Sequence, residues 1–399
     1  MPFLILLPQA RGVPLGQVGV IFAVHSVVAI VCEVPSGGLA DAVGRRTTLV
    51  AGAVLMVVSL AIFTVASAVV AFAAAAVALA AGRALTSGAL EAWFVDELRA
   101  LDPEAALHAP LAAGSTSEGV LSAAGAALGG FLPLLPFGLD HEGDDLLLQL
   151  SIPFVGATVA ALAYVAALLV LVRETTRPPR SAGVRAITAD AAALTRTGID
   201  VARRSHVIRL LLGVIAALGI AMSMTEVLWP TRLSELLDTN PADAGPLFGL
   251  LAAASLAAFS VGSALSTRVT RRTGKRGAYA GSYVVLAAML ALLGVVPGVV
   301  LFCLVFLGYF AAIGVAEPLH YEALHDATGP ETRATVASLD GLMSQVGGLG
   351  GNLGLVPLAA VTSFAVAWGA AAVIALLGAA LAAAATTPRR RPAAPSGAA

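Results

Sequence analysis

The sequence predicts an all-α protein built into a membrane, on three observations: too little charge for a water-soluble globule, apolar runs of spanning length, and one-sided placement of arginine. Of 399 residues, 58% are hydrophobic and only 12% are charged, with a mean hydropathy of +0.91. A soluble domain carries about 25% charged and about 45–50% apolar residues. Half that charge cannot cover a globule in water, so lipid is the solvent that fits this chain.

A spanning helix needs roughly 20 mainly apolar residues. Such runs lie near 15–37, 47–69, 71–97, 108–135, 150–172, 206–231, 243–267, 277–295, 297–324, 334–358 and 362–385. They are rich in Ala, Leu and Gly and lack the alternation of a barrel strand, which argues against β structure. Cys32 and Cys303 sit inside separate runs and read as packing residues. Met1 to Leu7 is apolar but has neither the basic start nor the small-residue cleavage site of a signal peptide.

Lys and Arg in short loops mark the cytoplasmic side. If the runs alternate in direction, Arg45, Arg46, Arg99, the 173–204 segment, Arg268 to Arg276, Arg333 and Arg389–Arg391 all fall on one side. The other side is acidic, with Asp140, Glu142, Asp144, Asp145, Glu235, Asp238 and Asp243, and only Arg11 and Arg232 lie there. The expected organisation is an N-terminal transmembrane bundle over 1–172 and a cytoplasmic central linker over 173–205. A C-terminal bundle over 206–385 and a basic cytoplasmic tail over 386–399 follow. The later linker, with Ile187, Ala191, Leu194 and Val201 among arginines, reads equally as an interfacial amphipathic helix or a solvated connector.

An internal repeat relates the halves. Gly88-x-x-Glu91 followed by Asp96 matches Gly314-x-x-Glu317 followed by Glu322. Glu118-Gly119-x-x-Ser122-x-x-Gly125 matches Asp340-Gly341-x-x-Ser344-x-x-Gly347, and Gly129 then matches Gly351. Three intramembrane acids at matching positions imply two parallel repeats of six spans. Pro8 matches Pro230, but only seven residues precede Pro8, too few to cross a core of about 30 Å at 1.5 Å per residue. The sequence is therefore expected to hold only the outer end of the first helix. A start placed too far downstream, a truncated product, or a naturally shortened protein each accounts for this.

The loop Gly37-Gly38-Leu39-Ala40-Asp41-Ala42-Val43-Gly44-Arg45-Arg46 between the second and third spans resembles the loop signature of the major facilitator superfamily. Gly274-Lys275-Arg276 is a degenerate echo at the corresponding loop of the second half. The resemblance implies two pseudo-symmetric six-helix bundles, twelve helices with the first truncated here. It also implies a conformational latch of Gly38, Asp41, Gly44, Arg45, Arg46 and Asp96. In it Asp41 faces the start of the eleventh helix and Arg45 pairs with Asp96 below the fourth. A role confined to topology anchoring is the alternative for the two arginines. Gly125-Ala126-Ala127-Leu128-Gly129-Gly130 resembles the glycine motif of family antiporters, with Ala126 in place of proline, and reads equally as close helix packing.

A charge at mid-membrane costs about 2.5–3.5 kcal/mol on insertion scales, so it needs a partner or a wet cavity. Arg83 on the fourth span and Glu118 on the fifth differ in depth by about 6 Å and are expected to pair across the central cavity. Glu91 and Trp93 make the same stretch polar and aromatic. Glu317 and Asp340 have no evident basic partner in the sequence and are the proton-carrying candidates. His25 reads as a packing or pore-lining residue, Trp229 as an interfacial anchor, and Glu226 and Glu33 as groups that reach opposite interfaces.

The net charge of −1 points to no nucleic-acid partner. The sequence holds no phosphate-binding glycine loop, metal-ligand cluster or catalytic constellation, so no cofactor and no enzymatic activity are expected. The expectation is a monomeric, multi-pass cell-membrane transporter with a cytoplasmic C-terminus. It works by alternating access, with a small-molecule substrate and protons as coupling ion. Proton-coupled export of a small amphipathic or drug-like molecule is the leading reading. Uptake of a metabolite, or a non-transporting receptor or assembly role on the same fold, are the alternatives.

Overall fold

The computed structural model describes residues 2–143, 145–174 and 196–387. Before the central segment lie α1 (Phe3–Ala10), α2 (Leu15–Val43), α3 (Arg45–Val65), α4 (Val69–Thr86), α5 (Ala89–Leu101), α6 (His108–Phe131) and α7 (Ile152–Leu171). After it come α8 (His206–Leu237), α9 (Gly245–Val295), α10 (Val299–Asp326), α11 (Arg333–Gly350), α12 (Val356–Val361) and α13 (Phe364–Ala385). No strand occurs among the described residues.

Eight helical stretches among the described residues are long and apolar enough to cross a membrane. One of them, α9, contains two of the runs read from the sequence. Its helical turns continue through the basic loop and are interrupted only at Gly274, with φ 74°. The helices α6 and α11 fall below that hydropathy because glycine, serine and an acid dilute their apolar residues. Of the amphipathic linker segment, residues 187, 191 and 194 lie outside the described residues. Residues 196–204 are helical, and Gly198 lies against Thr335 and Leu339 of α11.

Two spans depart from the uninterrupted runs expected. The run 71–97 is broken: α4 ends at Thr86, and Gly88 adopts the left-handed conformation at φ 69°, which glycine enters without a side-chain clash. Arg83 thereby sits in the last turn of α4, where a cation complements the helix dipole. The run 334–358 is divided by a π-helical turn, Gly351–Leu355, between α11 and α12.

Large buried aromatics concentrate in the second half: Phe248, Tyr279, Tyr283, Phe302, Phe306, Tyr309 and Trp368 are each at most 1% exposed. Trp229 belongs to this core, with ring centroids 4.8 Å from Phe306 and 5.9 Å from Phe248. It is therefore a packing residue and not the interfacial anchor its place at a helix end implied.

The two halves meet tightly at one end. A Cβ at Gly130 of α6 would lie 2.6 Å from the Gly245 carbonyl oxygen and 2.8 Å from Gly249 Cα, so only glycine permits this approach to α9. A Cβ on Gly19 of α2 would meet the Asn352 carbonyl oxygen at 2.8 Å. Gln9 at the end of α1 donates from Nε2 to Thr231 Oγ1 of α8 at 2.9 Å. These two residues follow Pro8 and Pro230, so equivalent positions of the repeat touch one another. Toward the opposite end, where Arg45 and Asp96 lie, contact lapses. Residues 112–122 of α6 are all exposed, and a Cβ at Gly114, Gly119 or Gly125 would meet nothing within 4 Å. The cleft between the halves thus opens toward the Arg45 end.

Candidate functional site

At the open end the Gly44 loop is built around a helix start. Gly44 has φ 104° and turns the chain from α2 into α3. The first amide of α3, that of Arg45, donates to Glu174 Oε1 at 2.7 Å. A carboxylate from just beyond α7 thus satisfies an orphan donor at the positive end of the helix. The Arg45 guanidinium then reaches Asp96 Oδ2 on α5 at 2.6 Å. Arg46 Nη2 donates to the Leu169 carbonyl at 2.6 Å, and Trp93 Nε1 donates to the Arg173 carbonyl at 3.0 Å. The arginines, Asp96 and Trp93 are therefore gathered in one cluster joining α3, α5 and α7. Trp93 is committed to that cluster and not to lining a cavity. Gly38 is exposed on α2, and the side chain of Asp41, expected to face the eleventh span, lies outside the described residues.

The second half repeats the device more fully than its degenerate sequence implied. Gly274 takes the left-handed turn, and Lys275 Nζ lies 2.5 Å from Glu322 Oε1 and 3.6 Å from Asp326 Oδ2 on α10. Glu322 is the repeat counterpart of Asp96. The hydrogen bond to Glu322, with the neighbouring carboxylate charges, holds the Lys275 ammonium above its ordinary range.

Arg83 and Glu118 are arranged differently from the pair expected of them. Both side chains are exposed, and no ion pair joins them among the described residues. Arg83 instead exerts its charge on His25 and Glu33 of α2. The break at Gly88 explains the difference, because it ends α4 directly below Arg83 and α6 diverges from its neighbours at the depth of Glu118. Glu91 is exposed in the first turn of α5. His25 Nδ1 lies 3.3 Å from the Ala76 carbonyl, a packing contact with α4.

In the second half Asp340 does have a basic partner. His320 Nε2 lies 2.9 Å from Asp340 Oδ1, and Tyr279 Oη lies 2.5 Å from His320 Nδ1. All three are buried, at 1%, 2% and 4% exposure for Tyr279, His320 and Asp340. With Asp340 ionised, its carboxylate only accepts, so Nε2 carries the hydrogen toward it and the tyrosine hydroxyl donates to Nδ1. In this form the trio holds one negative charge, and one added proton makes it neutral. Glu317, one turn before His320, is half-buried, and the Tyr283 ring lies in the field of both acids. The Tyr283 hydroxyl itself has no hydrogen-bond partner among the described residues.

At the closed end, a cleft of about 540 Å³ lies between Gln9, His141 and Glu142 on one side and Thr231, Glu235 and Asp238 on the other. Arg11, one of the two basic exceptions on this side, is buried and donates to the Gly143 and Leu146 carbonyls at 3.1 and 3.0 Å. It works there as a loop clamp.

Spanning helices in two related halves, meeting at one end and parted at the other, define a multi-pass membrane transporter and not an enzyme. The model of the Major Facilitator Superfamily matches residues 1–352, and the chain belongs to that family. Among solved structures, it is similar to the nucleoside transporter NupG in its D323A mutant form, with TM-score 0.72 at 13% identity over 97% of this chain and 98% of that one. The D-xylose-proton symporter gives TM-score 0.67 at 14% identity over 96% and 90%. The human organic anion transporter MFSD10 (TETRAN) gives 0.58 at 19% over 91% and 83%. No curated protein matches the chain in sequence.

Proposed function

We propose that the chain is a proton-coupled secondary transporter that exports a small amphipathic molecule across the cell membrane, with the Arg45 end and the C-terminus in the cytoplasm. The bundles over 1–172 and 206–385 rock about the cleft, and Arg45–Asp96 acts as a latch that forms and breaks with the cycle. The observation that carries proton coupling is the buried Tyr279–His320–Asp340 chain. A net negative charge is costly to keep from water, whereas the proton-loaded, neutral trio is not. Protonation therefore favours the state that buries the trio, and loss of the proton favours a state that hydrates it. Export follows from the resemblance to bacterial efflux members.

The test uses the full chain in proteoliposomes with an internal pH dye and a panel of lipophilic amines and dyes. Flux of a panel member is expected to carry protons, to collapse with a protonophore, and to accumulate substrate on the side facing away from the Arg45 end. Asp340→Asn is expected to abolish gradient-driven accumulation while substrate exchange across the membrane continues. Flux indifferent to the protonophore, with Asp340→Asn as concentrative as wild type, would refute the coupling.

A further inference from the structure

We infer that α9, where it enters the basic loop, binds an anionic phospholipid, with the phosphate at Arg268 and Arg272 and an acyl chain along Leu265 and Val261. Such a site requires a membrane-spanning chain and is independent of what the chain transports. Past its apolar run, α9 continues as helix into the basic loop as far as Gly274. Arg268, Arg271, Arg272 and, beyond the turn, Arg276 are exposed and make no ion pair or hydrogen bond among the described residues. Glu322 and Asp326, the acids on the adjoining end of α10, are engaged by Lys275. The first half is built otherwise. The repeat places Gly38, Asp41 and Ala42 opposite Arg268, Arg271 and Arg272, while Arg46, opposite Arg276, donates to the Leu169 carbonyl. The second half thus carries three extra arginines, and no carboxylate among the described residues receives them.

At about 100° per residue, Val261, Leu265, Arg268 and Arg272 fall within an arc of about 60° on α9. The face that packs on α10 lies elsewhere: Gly262 abuts the Ala311 backbone, and Gly314 of α10 abuts Phe259 and Ser263. The centre of that face, and Gly249 where it meets α6, each lie more than about 120° round the helix from the stripe. Val261 and Leu265 are 57% and 38% exposed, so the stripe presents hydrocarbon first and guanidinium after it. The apolar part is a surface for acyl chains. The guanidinium groups are planar forks that take phosphate oxygens in pairs. A phospholipid joins an anionic phosphate to a hydrocarbon chain and matches both parts, whereas a soluble phosphate or an acidic peptide matches the arginines alone. In the orientation proposed above, this end meets the cytoplasmic leaflet, where anionic lipids set a negative surface potential.

The experiment is native mass spectrometry of the full chain in detergent, titrated with phosphatidylglycerol or phosphatidylcholine of matched acyl chains. Glycerol 3-phosphate and polyglutamate serve as soluble competitors. Phosphatidylglycerol is expected to bind in preference to phosphatidylcholine and to resist both competitors at equal concentration. Arg268→Gln with Arg272→Gln is expected to weaken that binding roughly thirtyfold, the effect of two interfacial arginines. Arg204→Gln with Arg333→Gln removes as much charge from other exposed arginines and should leave binding nearly unchanged. Equal melting of the three proteins in phosphatidylcholine separates lost binding from lost fold. Should the first variant melt early, Arg272→Gln alone carries the same test at about fivefold. Equal weakening by the two double variants reduces the stripe to a diffuse surface charge and overturns the site. Displacement by glycerol 3-phosphate assigns the arginines to a soluble phosphate, and displacement by polyglutamate to an acidic protein; either overturns the lipid assignment.

Discussion

Gly249→Ala tests whether the glycine contact between α6 and α9 sets which end of the cleft is closed. The added Cβ would lie 2.5 Å from the Ala126 carbonyl oxygen, 2.7 Å from Gly130 Cα and 2.9 Å from Gly130 N. All three are helix backbone atoms that no rotamer change can move aside. Relief to the ordinary contact of 3.4 Å requires the helices to part by about 0.9 Å, and a gap of that order forfeits a quarter to a half of each neighbouring dispersion contact. Overpacking of this kind costs about 1–3 kcal/mol. Only the closed arrangement makes the contact, so the cost shifts the conformational equilibrium by about 5–150-fold toward separation at that end. Spin labels at Leu134 and Asn240, flanking the contact, report the separation by pulsed electron resonance. A longer-distance population is expected in the variant, together with slower substrate turnover. The same distance distribution in both proteins, with unchanged turnover, would refute the reasoning.

Three further outcomes are expected. Gln9→Cys with Thr231→Cys should cross-link on oxidation and stop transport until reductant is added, because these side chains bridge the halves at 2.9 Å; free transport after complete cross-linking would contradict the closed-end assignment. Gly44→Ala should lower thermal stability in detergent by roughly 1–2 kcal/mol, from its φ of 104° and a Cβ 2.8 Å from Glu174 Oε2, with a smaller loss for Glu174→Gln; equal melting of all three proteins would count against the cap. Lys275 has a folded-state value raised above its ordinary 10.5, so its pair with Glu322 stabilises below that pH and fades as pH climbs through the raised value. Melting of wild type and Lys275→Met should therefore differ at neutral pH and converge at strongly alkaline pH, and a constant difference across that range would dismiss the pair as a stabiliser.

The Arg45–Asp96 contact was legible in the sequence because a loop motif fixed one partner and the position after the fourth span fixed the other. Its counterpart in the second half was legible only in part, since Lys275 replaces arginine and the aspartate of the motif is missing. The Asp340–His320 pair was not read, because its members lie on different helices and nothing in linear spacing marks them as neighbours. One signal was present: His320 stands a helical turn from Glu317, a titratable pair on one face of a span. Arg83 and Glu118 were expected at mid-span and paired across the cavity, which assumed straight, parallel neighbours; Arg83 instead lies in the last turn of α4 and both side chains are exposed. The break at Ser87-Gly88 and the divergence of α6 remove that premise. Trp229 was misplaced because a Trp-Pro at a helix end carries the same local pattern whether lipid headgroups or Phe306 and Phe248 receive the ring.

The π turn at Gly351–Leu355 introduces one residue more than an α-helical ladder would hold. At 3.6 residues per turn, one residue is about 100° of rotation. Val356, which meets Gly19 of α2, therefore points about a quarter turn away from where the register of α11 would send it. The span behaves as a shaft with an offset coupling: the segment bearing Asp340 and the segment sealing against α2 are keyed to different partners. Deleting a single residue from the turn would straighten the shaft and misalign the seal while leaving the Asp340–His320 contact untouched. The halves, though repeated in sequence, are thus geared differently: among the described residues the offset occurs in the second, beside its buried acid.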